Sequence, residues 1–338
     1  MAGSVPGSAG LSHAAPSGER RRLRDCPPRR RPVCEGRARR RGLSMAARPD
    51  FIVIGAMKCA TSTVSDYLQR HPDVFMLADH EPRFFSHDEI FAKGTAWYEG
   101  LFDARAGEAL VGENSNHYAA LGLHPETVDR MAAYAPDLRL VFMVRDPIER
   151  IVSQWIQNRE NHGVRIPATP DRAIGEMPEH FIDQSLYWRT LSRYRERFAD
   201  ERIFVGFMED MNAEPAAFYA RLNAFLGLDD IPPAAPAHRN RSADKRLPSP
   251  ALDTLRRNPL VRGLKGLAPG ALRRRVRDAL SPPLAERPRF SPEAYARLAE
   301  TLRPDAAALL AHCGKPVDFW PTTAGAAAPR REGAAASV

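Results

Sequence analysis

Short apolar runs alternate with helical patterns through the middle of the chain. The runs 51–54, 74–77, 138–144 and 203–208 predict buried strands. Helical spacing of apolar residues follows them, as in the helix predicted from Pro215 to Leu226. Strands that alternate with helices form βαβ units, in which the strands are parallel and helices cover both faces. The sequence therefore predicts a three-layer α/β fold with a central, mostly parallel sheet.

The alternation ends after the last of these helices. Residues 231–250 are dense in Pro, Ala, Arg and Ser, and we interpret them as a loop. Residues 251–280 are basic and predict a helix. Ser291 has the character of an N-cap and precedes Pro292 at the first helical position, so a helix is predicted from there to about Leu310.

Both ends of the chain lack the pattern of a packed fold. Residues 1–48 are rich in Arg, Pro, Gly and Ser and predict a disordered basic tail. Residues 321–338 are rich in Ala and Gly and predict a second disordered tail, which leaves one domain over 49–320. The first tail is also compatible with an organelle transit peptide. Another hypothesis is that translation starts at Met45, and intact-mass analysis of the natural product would test it.

The net charge of +8 comes entirely from the first tail. Residues 1–44 contain eleven arginines and three acidic residues, and the remaining 38 basic and 38 acidic residues cancel. A balanced domain argues against a polyanion-binding surface, so no nucleic-acid partner is predicted. If the tail did bind nucleic acid, the binding would disappear when residues 1–44 were deleted.

The cysteines and the apolar runs bear on the compartment. Two of the four cysteines lie in the tail, and Cys59 and Cys313 are far apart in sequence, so a disulfide framework is not predicted. No apolar stretch approaches the roughly 20 residues that span a bilayer. We therefore predict a cytoplasmic protein with no integral membrane segment.

Residues 55–63, Gly-Ala-Met-Lys-Cys-Ala-Thr-Ser-Thr, connect a predicted strand to a predicted helix. The N–H groups of such a loop and the positive end of its helix form an anion site. Lys58 adds a charge, and the three hydroxyl residues at 61–63 add donors. A Walker A loop has its Lys directly before Ser or Thr. Here two residues separate Lys58 from Thr61, so the Mg²⁺-dependent NTP site is not encoded.

A second anion-binding pattern occupies residues 144–153. Arg145 ends a predicted strand, where open α/β sheets bind ligands. Asp146 is a natural N-cap, and Glu149 three residues later predicts a capping box. Ser153 follows two turns into the helix. The planar guanidinium group of Arg can donate two hydrogen bonds to phosphate oxygens, and the hydroxyl group of Ser supplies another donor.

Both patterns resemble nucleotide-binding motifs of the sulfotransferases that use PAPS (3′-phosphoadenosine 5′-phosphosulfate), in the bacterial and carbohydrate-type branch. Segment 55–63 is similar to the 5′-phosphosulfate loop, with Ala60 where the family favours Gly. Segment 145–153 is similar to the 3′-phosphate motif. Gly112-Glu113-Asn114-Ser115 looks like a family segment that follows a middle strand, and Glu209-Asp210 resembles a family strand end. The resemblance covers roughly residues 50–228.

The resemblance implies a P-loop-like fold, PAPS as the sulfuryl donor, PAP as the product and no metal. In the family, a loop after the last strand closes over the nucleotide, and Arg241 lies in the corresponding part of this chain. The residues that the resemblance places at the nucleotide are Lys58, Cys59, Ala60, Thr61, Ser62, Thr63, Arg145, Ser153 and Arg241.

Two residues are candidates for catalysis. Sulfuryl transfer resembles phosphoryl transfer, in which charge builds on the leaving oxygen. Lys58 is expected to stabilise that charge. Residues 80–85, His-Glu-Pro-Arg-Phe-Phe, resemble a Lys-Glu-Pro-x-Phe-Phe element whose Glu is the base, so Glu81 is predicted to take the acceptor proton. His80 replaces the Lys and is an alternative participant in proton transfer.

The sequence motifs do not identify the acceptor of the sulfuryl group. A hydroxyl or amine of a carbohydrate, glycolipid or small metabolite fits the chemistry, and residues 158–183 are the expected acceptor-side insertion. His117 is interpreted as a structural histidine or a residue lining that site. Two other hypotheses remain open: an ATP-dependent P-loop kinase and a non-catalytic nucleotide-binding module. Oligomeric state cannot be predicted from these patterns.

Overall fold

A computed structural model describes residues 48–77, 81–162, 165–232, 247, 284 and 286–325. All of them belong to one compact unit, Met45–Val338. Most of the tail predicted at 1–48, the helix predicted over 251–280, His80 and Arg241 lie outside the described residues. Within the described part, no helix has the length and apolar character needed to cross a membrane.

A five-stranded parallel sheet forms the centre of the fold, as predicted. Its strands are β1 (Phe51–Gly55), β2 (Val74–Met76), β3 (Leu110–Asn114), β4 (Arg139–Val144) and β5 (Ile203–Phe207). Their order is β2-β3-β1-β4-β5, and all four pairings are parallel. The run 51–54 in the central strand is fully buried, because helices cover both faces of a parallel sheet.

The strand β3 corrects one detail of the sequence analysis. Residues 112–114 lie inside this strand, whereas the resemblance placed the segment 112–115 after a strand. The strand passes close to β1 at Gly112, where a Cβ atom would overlap the ring of Phe51. A glycine is therefore required for this pair of strands to pack as they do.

Helices connect the strands and cover the sheet. They are α1 (Thr61–Gln69), α2 (Asp88–Phe91), α3 (Thr95–Gly100), α4 (Thr127–Tyr134), α5 (Pro147–His162), α6 (Pro170–Glu176), α7 (Pro178–Phe181), α8 (Tyr187–Arg195), α9 (Met208–Ala213), α10 (Pro215–Leu226), α11 (Pro292–His312) and α12 (Pro321–Ala324). Short 3₁₀ turns occupy Asn116–Ala119, Asp183–Ser185 and Asp200–Arg202. The helices predicted at Pro215 and Pro292 are confirmed.

The hydrophobic core has two parts. The larger part surrounds the sheet. The smaller part lies between α5 and α11, where residues such as Ile151, Trp155, Leu298 and Leu302 are buried together. This packing holds the long helix α11 against α5, which begins two residues after Arg145.

The fold continues past the predicted domain boundary at residue 320. Trp320 is fully buried, and α12 follows it. The main-chain N–H and the hydroxyl of Thr322 both donate to Asp146 Oδ2, at 3.1 and 2.8 Å. Residues 321–325 were therefore wrongly assigned to a tail, because a buried Trp and a long-range carboxylate bond hold them. At the other end, Arg48 pairs with Asp137 at 2.9 and 3.0 Å.

Candidate active site

The loop between β1 and α1 has the backbone of an anion site. Lys58 and Ala60 both adopt left-handed conformations, with φ of 71° and 64°. Such a loop turns successive N–H groups towards one point. The first N–H groups of α1, which begins at Thr61, have no partner within the helix and add to the same concavity. Ala60 takes the conformation that Gly would adopt without strain, so the loop geometry is kept although the family's Gly is absent.

The side chains of this loop divide into two sets. Cys59 is fully buried 3.6 Å from Tyr187 Oη, and burial raises the pKa of its thiol to about 11. Cys59 can therefore contact a nucleotide only through its main chain. Thr61 is also buried and donates its hydroxyl proton to Asn116 Oδ1 at 2.9 Å. Ser62 and Thr63 are exposed, so their hydroxyls are accessible to a ligand.

Lys58 and Arg145 come together at the carboxyl edge of the sheet. Arg145 Nη1 lies 3.5 Å from the carbonyl oxygen of Lys58. The guanidinium is largely buried, its Nε has no hydrogen-bond partner, and its contact with Glu149 is also 3.5 Å long. A buried cation held only by long contacts is suited to an added anion such as a phosphate.

Helix α5 supports both anion sites. Lys58 Nζ donates to Gln157 Oε1 at 2.5 Å, and Glu149 pairs with Arg145. Residues four apart lie on the same face of a helix, so Ser153 lies between Glu149 and Gln157. Ser153 is 6% exposed. The structure therefore brings the predicted 5′ and 3′ phosphate residues together along one helix.

The predicted capping box at the start of α5 is wrong. Asp146 Oδ1 does accept from the N–H of Glu149 at 3.0 Å, as an N-cap should. The N–H of Asp146, however, donates to Glu209 Oε1 at 2.9 Å. Glu209 comes from the start of α9, directly after β5, and takes the place expected for Glu149. The carboxylate of Glu149 instead pairs with Arg145 and, at 2.7 Å, with Arg287.

Arg287 was missed by the sequence analysis. It lies far along the chain in a segment without a motif, and only the fold brings it to Glu149. Arg150, the second arginine of the 145–153 pattern, has a different position. It is fully buried and donates to Ser185 Oγ and the carbonyl oxygen of Phe181, both at 2.7 Å, so it stabilises the fold.

Glu81 is linked to the phosphosulfate loop through one amide. Asn116 donates from Nδ2 to Glu81 Oε1 at 2.6 Å and accepts from Thr61 on its Oδ1. The other oxygen of Glu81 lies 3.6 Å from Arg83 Nε. The Glu81 side chain remains 25% exposed, so an acceptor can reach it. Sequence reasoning missed Asn116; its position directly after the segment 112–115 was the available signal.

A buried network lies behind this amide. Glu113 is fully buried and accepts from Tyr98 at 2.7 Å, Tyr118 at 3.0 Å and Ser115 at 2.9 Å. Burial raises the pKa of Glu113 to about 7. Ser115 Oγ also accepts from the N–H of Arg83 at 3.1 Å, so the network fixes the segment that carries Glu81.

Comparison with known proteins agrees with this geometry. The model of the sulfotransferase domain matches residues 48–246, which is more than half of the chain. The chain belongs to the sulfotransferase family. The matched residues include the anion-binding loop 55–63, the second anion-binding segment 145–153 and the parallel sheet. Membership of the family therefore accounts for all three.

Two curated relatives and one solved structure extend the comparison. Heparan sulfate glucosamine 3-O-sulfotransferase 6 of Mus musculus is 27% identical over 59% of this chain and 56% of its own length. Heparan sulfate glucosamine 3-O-sulfotransferase 3B1 of Homo sapiens is 28% identical over 54% of this chain and 47% of its own length. The chain thus spans about half the length of these relatives. The crystal structure of a sulfotransferase from Alicyclobacillus acidocaldarius has a TM-score of 0.57 at 23% identity, with 81% and 99% of the two chains covered, and shows the same fold.

Proposed function

We propose that the protein transfers a sulfuryl group from PAPS to a hydroxyl or amine of an acceptor. The observation that carries the proposal is that Arg145 Nη1 lies 3.5 Å from the carbonyl oxygen of Lys58, while Glu81 is joined to the same loop through Asn116. Two anion sites and a carboxylate within one constellation are what a bisphosphorylated sulfuryl donor and a proton-bearing acceptor require.

The two ends of the donor are held by different groups. The N–H groups of the loop 56–60 and the start of α1 hold the 5′-phosphosulfate, together with the hydroxyls of Ser62 and Thr63. Arg145 and Ser153 hold the 3′-phosphate. An ammonium group carries three donors, so Lys58 can contact Gln157 and an oxygen of the donor at the same time. Lys58 stabilises the charge that develops on the bridging oxygen as the S–O bond breaks.

Glu81 completes the reaction on the acceptor side. Its carboxylate takes the proton of the acceptor as the acceptor oxygen or nitrogen bonds to sulfur. Asn116 and Arg83 hold the two carboxylate oxygens and orient the group. Lys and Arg supply the charge stabilisation, so this step is proposed to use no metal.

The acceptor class is part of the proposal. The two relatives described above are named for transfer to a glucosamine of heparan sulfate, which favours a carbohydrate hydroxyl over a small metabolite. The cytoplasmic location and the lack of nucleic-acid partners stay predictions.

A calorimetric titration with PAP tests the donor. We expect micromolar binding without added metal, weaker binding of ATP and AMP, and a large loss in Arg145→Ala. Arg197→Ala is the matched control, because Arg197 is exposed and pairs only at the surface with Asp129. Preferential binding of Mg²⁺-ATP would support the kinase hypothesis instead. Binding of PAP with no transfer from PAPS to any of a panel of amino sugars, sulfated oligosaccharides and phenols would support the non-catalytic module.

A further inference from the structure

Three histidines come together beside the turn that carries Asn116. His87 is the residue before α2, His117 lies in the 3₁₀ turn 116–119, and His124 precedes α4. One ring nitrogen from each lies within 4.8 Å of those of the other two, and all three residues are half-buried. Within the described residues, this is the group of His, Cys, Asp and Glu side chains with such spacing.

The spacing of two of these nitrogens matches that of metal ligands. His117 Nδ1 and His124 Nε2 are 3.4 Å apart. Two nitrogens bound to one tetrahedral zinc ion at about 2.0–2.1 Å lie about 3.3–3.4 Å apart. The ring of His87 stacks on that of His124 at a centroid distance of 4.5 Å and meets that of His117 edge-on at 5.0 Å.

The ring of His87 also has the kind of polar partner that orients a metal ligand. Ser86 Oγ lies 2.9 Å from His87 Nδ1. A ligating histidine usually has its other ring nitrogen bonded to an oxygen of the protein in this way.

We propose that His87, His117 and His124 bind one divalent transition-metal ion, with Zn²⁺ as the ion that suits three nitrogen ligands and an open fourth position. The ion would join the segment after β2, the 3₁₀ turn after β3 and the start of α4. His117 is adjacent to Asn116, so the ion would brace the turn whose amide holds Glu81 and Thr61. The role is positional, and binding of the ion does not itself depend on the proposed sulfuryl transfer.

The direct test is metal binding by the whole chain after removal of metal with a chelator. Calorimetry with Zn²⁺ should give one tight equivalent, and Co²⁺ should give the visible absorption bands of a four- or five-coordinate ion. His117→Gln and His124→Gln should each weaken binding by at least about 10–100-fold, the loss that even an outer-shell change causes. His312→Gln is the control, since His312 is exposed at the end of α11 and should bind as wild type.

Wild-type protein that gives no such Co²⁺ spectrum overturns the proposal without any variant. Retained binding in His87→Gln, His117→Gln and His124→Gln alike would overturn it too, because the ion would then lie elsewhere. Zn²⁺ should also raise the Tm of the wild type and not that of His124→Gln, provided that both unfold cooperatively without metal. Glu81→Gln should bind Zn²⁺ normally, which separates failure of this site from failure of the proposed function.

Discussion

The buried carboxyl group of Glu113 should make the stability of this protein fall as pH rises. Glu113 has no exposed surface, and its bonds to Tyr98, Tyr118 and Ser115 replace water only in part. Burial is the main cause that raises its pKa from 4.5 to about 7, against the opposing effect of these hydroxyl donors. The informative substitution is Glu113→Gln, which keeps the shape and cannot ionise.

The direction of this pH dependence follows from the protonation of Glu113 in the folded and in the unfolded chain. Below about pH 4.5 the group is protonated in the folded and the unfolded chain, and its contribution to stability is complete. Between pH 4.5 and about 7 the unfolded chain releases the proton while the folded chain keeps it, so the free energy of unfolding decreases. At about 1.36 kcal/mol per pKa unit, the whole change is about 3 kcal/mol.

Urea denaturation followed by tryptophan fluorescence measures this change. The stability of Glu113→Gln relative to wild type should increase by about 2 to 3 kcal/mol between pH 4.5 and pH 8. Glu201→Gln, at an exposed carboxylate, should show no such trend and corrects for general charge effects. A difference between Glu113→Gln and wild type that stays constant over this range, or that has the opposite slope, would refute the reasoning.

Three further substitutions test the site and its support. Glu81→Gln should lower kcat by about 10²–10⁴-fold and leave PAP affinity unchanged in calorimetry, because the carboxylate acts on the acceptor proton. Lys58→Met should lower kcat by about 10²–10³-fold in single-turnover assays with PAPS, because the charge acts mainly in the transition state. Thr322→Val should reduce the free energy of unfolding in urea by about 1.5–3 kcal/mol, because the carboxylate of Asp146 loses a hydroxyl donor in a buried place.

Each of these has an outcome that contradicts it. Near wild-type turnover in Glu81→Gln would assign the base to another group. A Lys58→Met enzyme that loses PAP affinity and keeps kcat would make Lys58 a binding residue only. A Thr323→Val variant is the control for Thr322, since the hydroxyl of Thr323 donates locally to the carbonyl oxygen of Trp320 at 2.9 Å. If both variants lost the same free energy of unfolding, the hydrogen bond from Thr322 to Asp146 would contribute no more than the local bond of Thr323.

The sequence predicted those parts of the fold that depend on local patterns. Strands that are buried on both faces consist of consecutive apolar residues, so β1 and β4 could be predicted from the sequence. The strand β3 was recognised only by resemblance, because its five residues include Gly112 and Glu113, which do not read as a buried strand. The start of α5 was predicted from Asp146, since N-cap chemistry is local.

The sequence predicted the segments that form the candidate site, but not the contacts between them. Lys58, Arg145 and Glu81 belong to segments with recognisable local chemistry. Their partners do not: Gln157 is 99 residues from Lys58, and Asn116 is 55 residues from Thr61. Partners of this kind depend on the three-dimensional register of elements that are distant in sequence. The cluster of His87, His117 and His124 could not be predicted from the sequence for the same reason.

The single helix α5 sets the spacing between the two side chains that contact Arg145 and Lys58. Glu149 and Gln157, which contact Arg145 and Lys58, are eight residues apart, or about 12 Å along the axis at 1.5 Å per residue. Because the rise per residue of a helix is fixed, this spacing does not depend on the loops around the helix. Under the proposed function, one rigid helix therefore supports the groups at both ends of the donor, and a nucleotide that lacks the 3′-phosphate or the 5′-phosphosulfate would engage the groups at one end only.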